Sequence, residues 1–137
     1  MDGDVYDGSW IGNKASGFGV YTNAKGSRYE GLWKEDQQHG QGYETWPDGA
    51  SYKGEYSRSK KEGRGKYSWA DGSVYDGEWK NNRINGFGVY IWTDGNKYFG
   101  QWRDDEMHGH GVYMYTDGAR FEGEFHDDKK DGYGLYT

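Results

Sequence analysis

A period of 23 residues runs through this chain without an insertion or a deletion. A glycine stands two positions after the first residue of each unit, another large ring two positions later, and a Gly-x-Gly pair further on. The units begin at Tyr6, Tyr29, Tyr52, Tyr75, Tyr98 and Phe121. A fixed period with no spacer is typical of stacked repeats, in which each unit contacts only its neighbours. We therefore expect residues 1–137 to form one array of six units, the last of them incomplete.

The aliphatic content is too low for an ordinary core, because Leu, Ile, Val and Phe together number only 15 of 137 residues. That composition alone is typical of disorder. Tyr, Trp and Phe, however, make up 19% of the chain and recur in phase with the 25 glycines. Since a buried ring removes roughly 150–250 Å² from water, a few rings per unit can replace an aliphatic core.

The unit that begins at Tyr75 shows the predicted elements. Tyr75 to Lys80 alternates aromatic or small residues with charged ones, which indicates a strand with one buried face. Gly86 to Trp92 is predicted to be a second strand, with 81–85 as a polar loop between the two. Asp94-Gly95 is a turn dipeptide. Each unit is therefore predicted to be one antiparallel hairpin, and the chain an all-β, elongated, single-layer solenoid.

Side-chain alternation assigns the two faces of this predicted sheet. One face receives two sets of residues: Tyr75, Gly77 and Trp79 from the first strand, and Gly86, Gly88, Tyr90 and Trp92 from the second. We expect the large rings to lie over glycine backbones, which have no Cβ to obstruct them. The opposite face becomes apolar toward the last three units, with Phe87, Ile91 and Met114.

The motif Tyr-x-Gly-x-Trp, followed by Gly-x-Gly-x-Tyr-x-Trp-x-Asp-Gly, resembles the MORN (membrane occupation and recognition nexus) repeat. The clearest copy runs from Tyr75 to Gly95, and the resemblance covers residues 5–137. It implies a single-layer antiparallel sheet curved into a groove, and a scaffold or adaptor role. Four residues depart from the motif, and we expect the ring stacking to loosen near them: Glu44, Tyr56, Phe121 and Phe125.

On this basis we expect a non-enzymatic scaffold that binds a protein segment, either a peptide or a helix, along an aromatic groove. The predicted contact residues are Trp79, Tyr90, Trp92, Trp102, Tyr113 and Tyr115, and the rival face is formed by Phe87, Ile91 and Met114. The resemblance implies a cytoplasmic setting, with cytoskeletal, ciliary and membrane-contact structures among those in which MORN repeats occur. The absence of cysteine is compatible with a reducing compartment.

The charge distribution leaves a second hypothesis open. A net charge of −6 argues against binding to nucleic acid. The third unit is nevertheless basic, and its Lys60, Lys61, Arg64 and Lys66 are candidate contacts for anionic lipid. The alternative function is therefore a membrane-surface or phosphoinositide-binding module. No apolar run approaches the roughly 20 residues needed to span a bilayer.

No pattern in the chain indicates catalytic, cofactor or metal chemistry. The carboxylates at 104–106 and 127–128 lack the ordered spacing of a calcium loop. His108 and His110 could chelate a metal together, but the sequence offers no third ligand. The last unit stops before its Asp-Gly turn, so we expect either a piece of a longer protein or a homodimer paired through the strands near Tyr6 and Tyr136.

Overall fold

The computed structural model describes residues 3–137, with 131–133 described in their backbone only. The strands are β1 (Val5–Ile11), β2 (Lys14–Thr22), β3 (Arg28–Lys34), β4 (Gln37–Thr45), β5 (Ser51–Ser57), β6 (Lys60–Ser68), β7 (Val74–Lys80), β8 (Arg83–Ile91), β9 (Lys97–Arg103), β10 (Glu106–Met114), β11 (Arg120–His126) and β12 (Lys129–Tyr136). All twelve lie in one sheet in the order of the chain, each antiparallel to the next. The prediction of an all-β, single-layer array of hairpins is confirmed. At about 4.8 Å between strands, the sheet is roughly 50–55 Å across.

The turn within each hairpin is shorter than the sequence predicted. Asn81 and Asn82 have φ angles of 51° and 69°, and β8 begins at the next residue. Two consecutive residues with positive φ form a type I′ turn, whose twist matches that of the flanking strands. The prediction of a polar loop over 81–85 was therefore wrong. The same geometry occurs at Glu35–Asp36, Arg58–Ser59, Asp104–Asp105 and Asp127–Asp128.

The turn between hairpins follows the predicted Asp-Gly dipeptide. Gly95 has a φ of 95°, and its N–H donates to the carbonyl of Trp92 at 2.9 Å. The Asp94 carboxylate accepts the N–H of Asn96 at 2.9 Å. A side chain that bonds the backbone two residues ahead stabilises such a turn locally.

A β-bulge interrupts each hairpin and changes one face assignment. Gly77 pairs with Gly88, but Trp79 pairs with Ile84, so the register shifts between Gly77 and Trp79. Gly86 lies in the bulge with a φ of 97°, and a Cβ added there would contact the Glu78 carboxylate rather than a ring. The prediction that Gly86 shares a face with Gly88 was wrong. The bulge brings Ile84, which is 4% exposed, onto the buried face.

We call the face that carries Tyr75, Gly77 and Trp79 the inner face. The tyrosines that begin the second to fifth units are its most buried side chains, and Tyr75 is fully enclosed. Its hydroxyl donates to the carbonyl of Glu78 at 2.9 Å. A Cβ on Gly88 would overlap this hydroxyl and the ring carbon next to it. The prediction that rings lie over glycine backbones is confirmed.

Each repeat also buries a ring of its neighbour. Trp79 meets its own Tyr75 and the Tyr52 of the preceding repeat edge to face, both at 5.4 Å between centroids. Its indole N–H donates to the carbonyl of Gly65 at 2.9 Å. Trp79 is 6% exposed, whereas Trp10 of the first repeat, with no preceding repeat beside it, is 55% exposed. Stability is therefore expected to depend on contacts between adjacent repeats.

Two departures from the motif compensate each other. Tyr56 replaces a tryptophan and Glu44 replaces a tyrosine, and the Tyr56 hydroxyl donates to the Glu44 carboxylate at 2.6 Å. Tyr56 is only 4% exposed, and Phe121 and Phe125 are buried as well. The expectation that ring stacking loosens was wrong at Tyr56, Phe121 and Phe125, while Glu44 supplies no ring at its position.

Candidate functional site

The rings of the inner face form two layers of different exposure. The deep layer consists of the buried rings at the first position of the units and four positions later: Tyr29, Tyr52, Tyr56, Tyr75, Trp79, Tyr98, Trp102, Phe121 and Phe125. Above it lies a row of half-buried rings, which we call the aromatic ladder: Trp46, Tyr67, Trp69, Tyr90, Trp92, Tyr113 and Tyr115. Successive centroids in the ladder are 4.6 to 5.4 Å apart. The ladder is thus a continuous, partly exposed aromatic surface that covers the buried deep layer.

This division separates the predicted contact residues into two sets. Trp79 and Trp102 belong to the deep layer and are 6% and 5% exposed. Tyr90, Trp92, Tyr113 and Tyr115 belong to the ladder and keep part of their surface in solvent. The sequence alone could not distinguish them, because all six rings have the same side-chain parity.

A cavity of about 660 Å³, which we call the groove pocket, opens on the inner face near the last three repeats. It is lined by Tyr90, Trp92, Trp102, Asp105, Met107, Tyr113, Tyr115, Phe125, Asp128, Lys129 and Lys130. The structure therefore brings five of the six predicted contact residues together and leaves Trp79 outside. Sequence reasoning missed Met107 and Phe125. For Phe125 a signal was available in the sequence, because four other units have tryptophan at the equivalent position.

One position in each hairpin faces the ring of the deep layer across the bulge, as Ile84 faces Trp79. We call it the slot position, and it holds Ala15, Gln38, Lys61, Ile84, Met107 and Lys130. These side chains lie between the ladder and the turns. Their size therefore determines how far the groove is filled, and their charge determines the local charge of the groove. This position was not singled out in the sequence.

Lysine occupies the slot position in the third and sixth repeats. The Lys61 ammonium lies 5.5 Å from the centroids of Trp46, Tyr52 and Tyr67, and 5.9 Å from that of Trp79. Burial lowers the pKa of Lys61, and the Glu44 carboxylate opposes that shift. The Lys130 ammonium donates to the Tyr115 hydroxyl at 2.6 Å, a bond that raises the pKa of Lys130.

The family model of the MORN repeat matches this chain at 6–28, 29–51, 52–74, 75–97, 98–120 and 121–137. The six matches are consecutive; each of the first five coincides with one hairpin of the sheet and the turn after it, and the sixth coincides with the last hairpin. The chain belongs to the MORN repeat family. A comparison with curated proteins gives no match. Membership suggests a repeat module that binds protein or membrane, and the resemblance seen in the sequence is confirmed.

The basic residues of the third MORN repeat do not form one patch. Lys61 points into the inner face, as its ring contacts show. Arg64 and Lys66 are exposed on the outer face, in register with Glu78 and Asp76 of the neighbouring strand. Lys60 is exposed beside the type I′ turn. The predicted set of four lipid contacts is thus divided between two faces and an edge.

The rival face of the MORN array is less continuous than the ladder. Phe87 is 53% exposed, and Ile91 and Met114 are half-buried on the outer side of their strands. Their neighbours across the strands include Gln101 and Arg120, so polar side chains interrupt the apolar surface. Within residues 3–137 no helix is long and apolar enough to cross a bilayer.

The carboxylates of the turns have a structural use in the MORN array. Asp105 accepts the N–H of Ile84 in the preceding repeat at 2.8 Å, and Asp128 accepts that of Met107 at 2.7 Å. The ring nitrogens of His110 contact Glu124 and Glu122 at 3.1 and 3.4 Å. Among the described residues, no group of three or more His, Cys, Asp or Glu side chains has an arrangement suited to a metal ion.

Proposed function

We propose that this MORN array is a non-enzymatic scaffold or adaptor that binds a protein segment along the aromatic ladder. The observation that carries the proposal is the division of rings into a buried layer and a half-exposed one. The deep layer is the buried core of the sheet, whereas the ladder rings pack against it and keep part of their surface in solvent. Exposed tyrosine and tryptophan provide large, rigid contact areas, and such residues dominate binding energy at protein interfaces.

The groove pocket is a concave part of this surface. Its walls combine ladder rings with polar groups at the rim, among them Asp105 and Asp128. Six of its eleven lining residues are aromatic and four are charged, and a cavity with aromatic walls and a small number of placed polar groups is a usual form of binding site. An elongated segment is therefore expected to place one side chain in the groove pocket and to extend along the ladder toward Trp69.

The test compares the intact array with two ladder variants and one outer-face variant. Trp92→Ser and Tyr113→Ser each remove a ladder ring, and Phe87→Ser removes a ring of similar size from the rival face. Affinity capture followed by mass spectrometry should retain specific proteins with the intact array and with Phe87→Ser, and lose the same proteins with both ladder variants. Loss with Phe87→Ser alone would move the binding surface to the outer face, and unchanged capture with all three would refute the proposal.

The membrane-surface alternative has weaker support. Its four candidate residues are divided as described above, and the outward Arg64 and Lys66 stand beside Glu78 and Asp76. Opposite charges in register reduce the positive potential available to an anionic surface. The homodimer through β1 and β12, which form the two open edges of the sheet, stays a prediction, as does the cytoplasmic, cytoskeletal, ciliary or membrane-contact location.

A further inference from the structure

The inner face of the array surrounds an ammonium group with aromatic rings. The nitrogen of Lys61 stands 5.5 to 5.9 Å from four ring centroids, two of them in tryptophans. A cation within about 6 Å of a ring centroid is attracted by the quadrupole of the ring, and the attraction grows as water is excluded. Lys61 is half-buried, and its ammonium group lies among these rings. The rings around the slot position thus form a cage that can hold a lysine head group.

The sixth repeat provides a second, independent instance of the cage. The Lys130 ammonium lies 4.9 Å from the centroid of Tyr136, 5.2 Å from Phe121 and 5.4 Å from Tyr115. Lys130 is exactly three repeats beyond Lys61, and these rings occupy the positions of Tyr67, Tyr52 and Trp46. The property therefore belongs to the repeat geometry rather than to the environment of one lysine.

The fifth repeat has the same cage around an uncharged residue. Trp92, Tyr98 and Tyr113 stand at the positions of Trp46, Tyr52 and Tyr67, while Met107 occupies the slot position. The fourth ring is Phe125, which takes the position that Trp79 has beside Lys61 and is smaller than Trp79. The groove pocket lies over this cage. Met107 is 8% exposed and Phe125 is 3% exposed, so both lie at its floor.

The charges around the groove pocket are compatible with a cationic guest. Asp105 and Asp128 stand at the rim together with Lys129 and Lys130, and the Lys130 ammonium is already bonded to the Tyr115 hydroxyl. Residues 98–137 contain nine Asp and Glu residues against four Lys and Arg residues. The charged residues that line the pocket balance, so the attraction of a basic segment comes from the wider excess of acidic residues in the last two repeats.

We propose that the groove pocket receives one long basic side chain, a lysine or an arginine, from the segment that binds the ladder. Met107 fills the slot position of the fifth repeat, so the cationic head of the guest contacts the exposed sides of Trp92 and Tyr113 above Met107. The inference rests on the proposed function, since it specifies the chemistry by which that segment is recognised. Lys61 and Lys130 place ammonium groups of this chain in the corresponding cages of the third and sixth repeats, whereas Met107 is uncharged.

The probe is n-butylammonium, which reproduces the lysine side chain, and its neutral counterpart is n-butanol. Each is titrated into the full-length, ¹⁵N-labelled chain while the indole N–H resonances of Trp92 and Trp102 are followed by NMR. We expect saturable shifts of both resonances with n-butylammonium, and an affinity at least about fivefold higher than for n-butanol, as a cation–π contribution predicts. The shifts should weaken as salt is added, because the rim charges are screened.

Met107→Lys is the decisive variant, because it gives the fifth repeat a lysine of its own. It is expected to fold, since Lys61 and Lys130 occupy the same slot position, and to abolish the n-butylammonium shifts. Val112→Lys is the matched control: it adds the same charge to the same strand but on the outer face, so the shifts should persist. Phe125→Trp, which restores the ring found in four other units, should narrow the pocket and weaken binding.

Three results would overturn the inference. Equal affinity for n-butanol would show that the pocket is an apolar anchor site. The absence of saturable shifts with either probe would show that there is no binding site in the pocket. Undiminished binding in a folded Met107→Lys variant would show that n-butylammonium binds elsewhere. None of these results decides the proposed function, because a segment with apolar anchors could still bind the ladder. Failure of the ladder variants to lose captured proteins would refute the proposed function even if n-butylammonium binds.

Discussion

Single residues determine how closely two strands of one repeat can approach. Gly77 and Gly88 face each other across the hairpin, and the Tyr75 ring lies over both. A Cβ on Gly77 would stand 2.6 Å from the Phe87 carbonyl oxygen and equally close to the Tyr75 hydroxyl. The glycines are therefore required by contact distance, while their φ angles are those of an ordinary strand.

The variant Gly88→Val should be much less stable than Glu78→Val. Valine at 88 displaces the Tyr75 ring and breaks its bond to the Glu78 carbonyl, which together should lower the free energy of unfolding by about 3 kcal/mol or more. Glu78 is exposed, and valine there removes one bond to the Phe87 N–H, a loss of about 1 kcal/mol. Urea denaturation of both variants measures the difference. Equal midpoints would contradict the placement of rings over glycines.

The residues that depart from the motif show what sequence reasoning could not reach at this scale. Tyr56 and Glu44 each appear as a weakened copy of the repeat when considered alone. In the structure they are 12 positions apart in the chain and joined by a hydrogen bond of 2.6 Å. A pair that is compensated across two repeats cannot be recognised from periodicity, because periodicity treats every position separately.

At the scale of the hairpin, the type I′ turn joins consecutive repeats as well as consecutive strands. The Asp105 carboxylate accepts the N–H of Ile84, and the N–H of Asp105 donates to the Ile84 carbonyl at 2.9 Å. Asn82 makes the equivalent side-chain bond to Lys61 at 2.8 Å. The turn residue must therefore tolerate positive φ and also carry a short side-chain acceptor, and Asp and Asn satisfy both requirements.

Asp105→Ala should lower the free energy of unfolding by about 2 kcal/mol. It leaves the Ile84 N–H without its acceptor and places alanine at a φ of 71°, each a loss of about 1 kcal/mol. Asp105→Asn is the matched control and should be nearly neutral, because asparagine already serves at the equivalent position 82. Chemical denaturation followed by circular dichroism compares them. If both variants lost the same stability, the carboxylate charge rather than the hydrogen bond would be the relevant feature.

The strands were predictable from the alternation of residues, but the turns and the bulge were not. Polar residues at 81–85 fit a loop in the sequence, and only the backbone shows that 83–85 already belong to a strand. The bulge depends on Gly86 with a φ of 97°, and nothing in the pattern distinguishes this glycine from Gly88. For the same reason Ile84 and Met107 could not be assigned to the inner face in advance.

At the scale of the whole molecule, the depth of a ring is decided by the neighbouring repeats. Trp10 and Trp79 hold the same position in the motif, yet one is 55% exposed and the other 6%. The sequence therefore predicts which rings share a face but not which of them are available to a partner. Of the six predicted contact residues, Trp79 and Trp102 are buried in the deep layer, and the other four keep part of their surface in solvent.

The buried tyrosines make the stability of the whole array sensitive to alkaline pH. Burial raises the pKa of Tyr98 to about 12 and also raises the pKa values of Tyr29, Tyr52 and Tyr75 above the ordinary value near 10. A pKa that is higher in the folded state contributes stability that is fully present below the unfolded-state pKa and is lost as pH rises through the folded-state pKa. These losses add along the array, because each of the second to fifth repeats contains such a buried tyrosine.

We therefore expect the sheet to unfold cooperatively between about pH 10 and 12. Exposed tyrosines such as Tyr43 and Tyr136 should ionise first with the sheet intact, and the buried ones should ionise together with its loss. Tyrosinate absorbance and far-ultraviolet circular dichroism, recorded on the same samples, separate the two phases. Tyr98→Phe places phenylalanine where the sixth repeat has Phe121. It should be less stable near neutral pH, because the hydrogen bond to the Gln101 carbonyl is lost. Its stability should also depend less steeply on pH between about 10 and 12, because one buried ionisable group has been removed. Ionisation of all tyrosines near pH 10 with an intact sheet would show that the deep layer is open to water.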